Sequence, residues 1–203
     1  VGTPRVLPHL GATIGGVLVA ASNGRYFAND AGPLVLAGFH TWYNLVNGGA
    51  STPPPTFGWS TYLAALASYG VNSVRLWLLE TTRDWPSDNT QRFEMTPWLR
   101  TGPGNAADGG LKFDLTQFNP DYFERLRTRC IELGNAGIYA SIMLFNGFRI
   151  DNTKEGGATG DPWAYHPFNS ANNINSINGD IDGDGIGDDA RSTNNTAAYN
   201  AQK

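Results

Sequence analysis

Short apolar runs alternate along the chain with longer segments in which apolar side chains recur every three or four residues. The short runs are typical of buried parallel strands, and the recurring spacing is typical of amphipathic helices. The predicted strands are 34–39, 71–79 and 138–145, and the predicted helices are 57–69, 119 to 134–137, and one that starts near 196. This succession of strands and helices predicts a parallel sheet with right-handed connections.

Local signals mark the ends of the predicted helices. Asn119 and Pro120 suit the N-cap and the first helical position of the second helix. Gly70 suits the residue that ends the first helix. Cys130 falls on the apolar face of the second helix, and as the single cysteine it cannot close an internal disulfide. Its simplest role is therefore that of a small core side chain.

The segments outside this alternation predict a hairpin and a loop. Residues 16–27 are predicted to form a β-hairpin, because apolar residues flank the turn sequence Asn23-Gly24. The alternative is that the apolar run 10–21 is the remnant of a signal peptide, and the hairpin fits the pattern better. Residues 80–118 are rich in Pro, Gly and Asp, and are predicted to form a long loop.

A strand–helix series of this kind closes either as a doubly wound sheet or as a (β/α)8 barrel. A dinucleotide-binding sheet needs a glycine-rich turn after its first strand, and residues 38–42 do not provide one. A complete barrel takes about 250 residues, whereas this chain has 203. The prediction is therefore an α/β fold: a partial TIM (β/α)8 barrel made of its first three βα units in 33–203, truncated before strand four, after an N-terminal extension 1–32 that carries the hairpin.

Composition narrows the class of partner. The chain has 14 Lys and Arg against 18 Asp and Glu, a formal net charge of −4, and its basic residues are scattered. This balance argues against nucleic acid or an anionic membrane as the partner, and no apolar run approaches the roughly 20 residues that span a bilayer. Six tryptophans and many asparagines favour a sugar ligand, because indole rings stack on sugar faces and amides bond to hydroxyls.

Polar and aromatic side chains follow each predicted strand, at the end where barrel enzymes carry their chemistry. These residues are His40 and Trp42 after the first strand, Trp77 and Glu80 after the second, and Asn146 after the third. Arg75 lies inside the second strand, where a buried guanidinium needs a carboxylate opposite it. A functional role in the barrel mouth is favoured for Arg75, and a structural ion pair with Glu80 or a loop aspartate is the alternative.

The segment after the third strand adds two further site residues. Its sequence, WAYHPFN at 163–169, is rich in aromatic side chains. A connection of this length is usually functional when it is ordered, and these aromatic side chains favour packing over a solvated insertion. His166 and Asn169 are therefore included in the predicted site.

An acidic tract at 180–189 carries carboxylates at alternate positions and a glycine at the sixth, as at the start of a calcium loop. Arg191 stands where an EF-hand has glutamate, so the tract is more similar to the calcium loops of thrombospondin type 3 repeats. The predicted ligands are Asp180, Asp182, Asp184, Asp188 and, through its carbonyl, Ile186. Five acids in ten residues repel one another unless they are neutralised. A structural Ca²⁺ is therefore predicted, and no organic cofactor.

Seven tracts recur, in this order, in one group of proteins. They are 24–27 (GRYF), 38–42 (GFHTW), 74–77 (VRLW), 100–104 (RTGPG), 108–115 (DGGLKFDL), 143–147 (MLFNG), and 166–169 (HPFN) with 172–173 (NN). Through them the chain, from about 19 to 203, resembles the N-terminal half of bacterial cellulase-like glycoside hydrolases with a (β/α)8 barrel.

The resemblance implies a retaining glycosidase with two catalytic glutamates, one at the end of strand four and one at the end of strand seven. This chain would contain neither glutamate and would be inactive by itself. Arg75 matches the strand-two arginine that keeps the nucleophile ionised and oriented. His40, Trp42, Asn146 and His166 match substrate contacts around the sugar-binding mouth. Trp77, Glu80 and Asn169 complete the predicted substrate-binding set.

We therefore expect a secreted or extracellular, bacterial-type glycoside hydrolase that acts on a polysaccharide. One alternative is a non-catalytic, calcium-dependent carbohydrate-binding or cell-surface adhesion module. Another is a barrel enzyme of a different type, an isomerase or lyase that uses Arg75, His40 and Glu80. The sequence names neither the sugar nor the oligomeric state.

Overall fold

The computed structural model describes residues 16–84, 91–147, 149–150, 161–192 and 194–202. In chain order the strands are β1 (Val19–Ala20), β2 (Phe27–Asn29), β3 (Gly32–Leu34), β4 (Gly38–Phe39), β5 (Asn47–Gly49), β6 (Ser73–Leu76), β7 (Arg83–Asp84), β8 (Gln91–Glu94), β9 (Trp98–Asn105), β10 (Leu111–Phe118) and β11 (Tyr139–Ile142). The helices are α1 (Trp59–Ser68), α2 (Pro120–Asn135) and α3 (Thr196–Ala201), with two short 3₁₀ helices at Pro162–Tyr165 and Gly187–Arg191.

The chain divides into two compact units, each assembled from three stretches of sequence. The first unit takes the residues up to 44, 58–77 and 124–143, and the second takes 45–57, 78–123 and those from 144 onward. Within the described residues, no helix combines the length and the apolar character that crossing a membrane requires.

The three predicted helices are confirmed, and their end signals act as expected. The Asn119 side chain accepts a hydrogen bond from the Asp121 amide at 3.1 Å, which caps α2 in front of Pro120. Gly70 adopts a left-handed conformation (φ +66°) directly after α1 and donates to the carbonyl of Ala67. Local sequence alone accounts for these boundaries.

The first unit opens with the predicted hairpin. β1 and β2 pair antiparallel around a turn in which Gly24 has a positive φ (+66°), and β3 adds a third strand beside β2. The predicted continuous strand 34–39 is wrong, because β3 ends at Leu34 and β4 starts at Gly38.

The Asn72 side chain fills the gap between β3 and β4. Its carbonyl oxygen accepts from the Ala37 amide at 2.7 Å, and its amide donates to the Val35 carbonyl at 2.9 Å. A side chain thus satisfies the backbone where a strand partner would otherwise do so.

A three-stranded parallel sheet forms the core of the first unit. Its strands β4, β6 and β11 lie side by side in the order in which they occur along the chain, with β6 in the middle. The buried core side chains come from α1, α2, β6 and the residue before β11: Leu66, Leu133, Val74, Leu76 and Ile138. Cys130 packs against this cluster, as predicted, and burial raises the pKa of its thiol. Three consecutive parallel strands are what both a barrel and an open sheet require, so the partial barrel stays a prediction.

The predicted long loop 80–118 is wrong, because four strands lie in it. β8 lies in the middle of a three-stranded sheet and pairs antiparallel with β5 on one side and with β7 on the other. β9 and β10 form a hairpin with register shifts along its length. Gly102 (φ +66°) and Gly104 (φ +82°) adopt left-handed conformations within β9. Glycine and proline usually indicate a break in a strand, but here they produce an irregular ribbon.

The core of the second unit joins this hairpin to the segment from 161 onward. The buried cluster contains Trp98, Phe113, Leu115, Ile150, Trp163, Phe168, Ala190 and Ala198. The backbone of Phe113 donates to the carbonyl of Asn172 and accepts from the amide of Ile174, both at 2.9 Å. The aromatic segment is therefore part of the packed fold, as its composition predicts.

Candidate functional site

The predicted site residues fall into two groups, one in each unit. The first unit holds His40, Trp42, Arg75 and Trp77, and the second holds Glu80, Asn146, His166, Asn169 and the acidic tract.

An aromatic stack lies at the carboxyl ends of two neighbouring parallel strands in the first unit. His40 follows β4 directly and Trp77 follows β6 directly. Their rings stack with centroids 5.3 Å apart and planes 18° apart. We call these two residues the aromatic platform. Trp42, after the same strand as His40, is 50% exposed. Exposed indole and imidazole surfaces of this kind are suited to stacking on sugar rings.

The buried Asn44 fixes the strand end that carries Trp77. Its side-chain amide donates to the Arg75 carbonyl at 2.6 Å, and its side-chain oxygen accepts from the Trp77 amide at 2.8 Å. Arg129 from α2 donates to the Asn44 carbonyl at 2.5 Å, and its guanidinium lies 4.7 Å from the centre of the Trp59 ring. Asn44 and Arg129 are absent from the predicted site residues. The local signal for Asn44 is its place in the polar segment that follows β4.

Arg75 is exposed, where the sequence predicted a buried guanidinium facing a carboxylate. Side chains alternate along β6, so Val74 and Leu76 enter the core and Arg75 lies on the other face. Among the described residues, no salt bridge to Arg75 is present. Its charge is therefore accessible to a ligand or to a further part of the protein.

The second group is centred on the buried carboxylate of Glu80, which is 2% exposed. One of its oxygens accepts from Nη2 of Arg191 at 2.6 Å and from the Asn146 backbone amide at 3.4 Å. Nε2 of His166 lies 3.6 Å from the same oxygen. Residues far apart in sequence thus converge on one negative charge.

These neighbours keep Glu80 ionised. Burial acts to raise the pKa of its carboxyl, but His166, Arg191 and the Asn146 amide outweigh burial, so the pKa lies below its usual value. Nδ1 of His166 accepts from the Phe168 amide at 3.1 Å. Nδ1 is therefore the acceptor atom of this ring, and Nε2 is the atom that faces Glu80.

The same geometry indicates what this cluster can do. Glu80, Asn146 and His166 are each no more than 3% exposed, so their side chains are not open to a large substrate. The Arg191 guanidinium also lies over the Phe145 ring, 5.1 Å from its centre. The side-chain amide of Asn169 is engaged within its own segment, because it donates a hydrogen bond to the Trp163 carbonyl at 3.4 Å. The arrangement holds three segments of the second unit together around a satisfied charge.

Three carboxylates of the acidic tract converge. Asp180, Asp182 and Asp184 each offer an oxygen, and these oxygens lie within 4.8 Å of one another. Backbone amides of Gly183 and Gly185 donate to Asp180, at 2.8 and 3.2 Å, so the loop wraps around its acids. Three carboxylate oxygens at this spacing could hold a metal ion, and its identity as Ca²⁺ stays a prediction. The predicted ligand Asp188 is not in this converging set.

A family model described as "Domain of unknown function (DUF6298)" matches residues 80–185, which is just over half of the chain. The chain belongs to the DUF6298 family. No curated protein matches it, and no solved structure matches it.

The DUF6298 match coincides with the second group of site residues. It begins at Glu80 and takes in Asn146, His166 and the three converging aspartates. Arg191 lies after its end, and the aromatic platform lies before its start. The buried carboxylate and the acidic loop are therefore features of the DUF6298 region itself.

Proposed function

We propose that this chain is part of a secreted glycoside hydrolase that acts on a polysaccharide. The observation that supports this most directly is the aromatic platform, His40 stacked on Trp77 at the carboxyl ends of adjacent parallel strands. In a barrel enzyme this end of the sheet carries the substrate. The chain would contribute the first three strands of a partial (β/α)8 barrel, and the catalytic glutamates would come from strands four and seven.

In this proposal Arg75 acts as a positioning residue for the nucleophile. It lies on the face of β6 opposite the core with the helices, which is the interior face in a barrel. A retaining mechanism needs one carboxylate ionised as the nucleophile and one carboxylic acid protonated as the acid. A guanidinium near the first carboxylate lowers its pKa and keeps these roles apart.

In this proposal the Glu80 cluster holds segments of the second unit together rather than touching the substrate. Its carboxylate fixes the Asn146 backbone, which follows the third parallel strand, and the His166 segment. Burial of all three side chains favours positioning over direct contact with a sugar. Trp42, Trp77 and His40 would make the substrate contacts.

A calcium-dependent carbohydrate-binding module is the second candidate, and the convergence of Asp180, Asp182 and Asp184 favours it. In either case Ca²⁺ would neutralise three acids and stabilise the loop, with no role in bond cleavage. A loop that uses exposed carboxylates is suited to the high calcium concentrations outside cells.

Assays of the intact protein on a panel of polysaccharides test the proposal. We expect release of new reducing ends, and we expect Arg75→Gln to lower kcat on the order of 100-fold with little change in KM. The matched control is Arg127→Gln, an exposed arginine on α2, which should leave both constants unchanged. Polysaccharide binding without hydrolysis, lost on addition of EGTA, would instead support the binding module.

A further inference from the structure

A cleft of about 550 Å³ lies within the second unit, and none of the predicted site residues lines it. Its volume falls in the usual range for small-molecule sites, roughly 300–1,000 Å³. β7, β8 and the β9–β10 hairpin form most of its walls. Its charged lining residues are Arg83, Arg92, Arg100, Glu94, Asp108 and Asp121.

Two arginines face each other across the floor of this cleft. Arg83 of β7 and Arg92 of β8 are direct partners in the antiparallel register. Like charges in this position destabilise a sheet unless an anion lies between or above them. Both residues are half-buried, and within the described part of the chain no carboxylate forms a salt bridge with either.

Hydrogen bonding leaves Arg83 incompletely satisfied. Its Nη2 donates to the Asp108 carbonyl at a long 3.4 Å. Its Nε is buried and has no hydrogen-bond partner among the described residues. A buried guanidinium donor without an acceptor is costly, and a bound anion would supply the acceptor.

The third arginine is already neutralised. Arg100 forms a two-pronged salt bridge with Asp108, and its guanidinium lies 4.2 Å from the centre of the Phe113 ring. Glu94 and Asp121 are exposed at the cleft. Among the described residues, Arg83 and Arg92 therefore carry the positive charge at this cleft that no carboxylate pairs with, and the Arg83 guanidinium lies 5.6 Å from the centre of the Tyr165 ring.

The backbone beside these residues is strained. Met95 follows β8, lines the cleft, and has a φ of +74°. A side-chain-bearing residue with positive φ is uncommon, and such residues cluster at ligand sites. This observation is independent of the charges and also indicates a binding site.

We propose that this cleft binds a sugar unit that carries one anionic group, a ring carboxylate or a sulfate ester. Arg83 and Arg92 would take the anion, because their planar forks match its oxygens. Glu94 and Asp121 would accept hydrogen bonds from hydroxyls, and their charges disfavour polyanions such as nucleic acid. The saccharide class rests on the proposed function, whereas the anionic group rests on the two arginines.

The test is calorimetric titration of the intact protein with three anionic oligosaccharides and their neutral counterparts. The probes are oligogalacturonate against its methyl ester, oligomannuronate against its methyl ester, and sulfated against unsulfated galactan oligomers. We expect at least one charged form to bind 10-fold or more tightly than its neutral counterpart. Binding of a uronate identifies a carboxylate as the group that the arginines recognise. Binding of the sulfated galactan alone identifies a sulfate ester. Equal affinity within every pair would overturn the proposal.

Variants separate a binding role from a structural one. Arg92→Gln and Arg83→Gln should each weaken the charged ligand by at least 10-fold, and Arg127→Gln should not change it. For Arg92→Gln, removing one of two facing charges should leave Tm unchanged or raise it, so a fall in Tm with unchanged affinity in that variant would contradict the assignment. Hydrolysis of neutral polysaccharide without anionic binding refutes this inference alone, and anionic binding without any hydrolysis refutes only the enzyme proposal.

Discussion

Glu80 is ionised although it is almost fully buried, because Arg191, His166 and the Asn146 amide surround its carboxylate. A buried charge of this kind contributes little net stability while it is paired, but removing one partner leaves the other charge unbalanced. The cluster therefore links segments that are far apart in the chain. Its role is to stabilise the fold, and this role does not depend on which ligand the protein binds.

Glu80→Gln should destabilise the protein. The neutral amide cannot balance Arg191, whose side chain is 21% exposed, so the loss should fall at the lower end of the range for broken buried pairs, about 3 kcal/mol. Urea unfolding of the variant and the parent measures it. Glu124→Gln, at an exposed position of α2, removes the same charge and should cost less than about 0.5 kcal/mol. Equal losses in the two variants would contradict the buried-pair account.

Asp114 should make stability depend on pH in the acid range. The hydroxyl and amide of Thr116 lower the pKa of Asp114 to about 2, with further bonds from Asn175 and Gln117. Because the folded pKa lies below the ordinary value of about 3.9, the stabilisation is complete above that value. It is lost as the pH falls through about 2.

The free energy of unfolding, measured against pH for the parent and for Asp114→Asn, checks this. The parent should be the more stable at neutral pH, and the difference should shrink between about pH 3.9 and about 2. Parallel curves for the two proteins would show that Asp114 is not the titrating group. Asp30→Asn, at an exposed residue outside the helices, is the matched control.

At the level of elements, the acidic loop contrasts with the rest of the second unit. It forms no regular strand or helix before the 3₁₀ turn that starts at Gly187, and its own carboxylates accept hydrogen bonds from its backbone amides. Three converging acids would repel one another at neutral pH in the absence of a cation. The stability of this element should therefore depend on a divalent ion.

Calcium should raise Tm, and EGTA should reverse the shift. Asp182→Asn combined with Asp184→Asn should abolish the calcium-dependent shift, because two of the three converging oxygens lose their charge. Asp30→Asn, at an exposed residue of the first unit, should leave it intact. Differential scanning calorimetry with Ca²⁺ and with EGTA measures the Tm of the parent and of each variant. A Tm that is indifferent to both Ca²⁺ and EGTA would mean that the loop holds no ion.

For the whole molecule, the two units carry surfaces of different chemistry. The aromatic platform is in the first unit and uses ring faces, whereas the cleft between β7, β8 and the β9–β10 hairpin is in the second and uses charge. The net charge of −4 gives no long-range attraction for an anionic chain, so recognition of one must come from the local pair of arginines.

Substitutions in the two units should therefore separate two binding activities. Trp77→Ala should weaken neutral oligosaccharides and leave the charged probe unaffected, because the stacked ring face is lost and the arginines remain. Arg92→Gln should weaken binding of the charged probe and leave binding of neutral oligosaccharides unaffected. Titration of both variants with both ligands measures this, and added salt should weaken only the charged ligand. If either variant lost binding of both ligands, the two ligands would share a single site.

The sequence by itself determined the elements whose signals are local. Periodicity, Asn119 before Pro120, and Gly70 were sufficient for the helices, and Asn23-Gly24 was sufficient for the hairpin. The sequence predicted the positions of the parallel strands but made them too long, because an apolar run continues past the last residue that pairs with a neighbouring strand. The predicted site stays a prediction, although His40 and Trp77 stack in the first unit and Glu80, Asn146 and His166 lie together in the second.

Only the tertiary structure decided the features that depend on distant partners. The break between β3 and β4 depends on Asn72, and the environment of Glu80 depends on Arg191, 111 positions away. The strands within 80–118 form because partners across the sheet accept their backbone bonds, which no window of local sequence reports. Pairing across a sheet also placed Arg83 opposite Arg92, so the cleft that they form is a property of the fold and not of any motif.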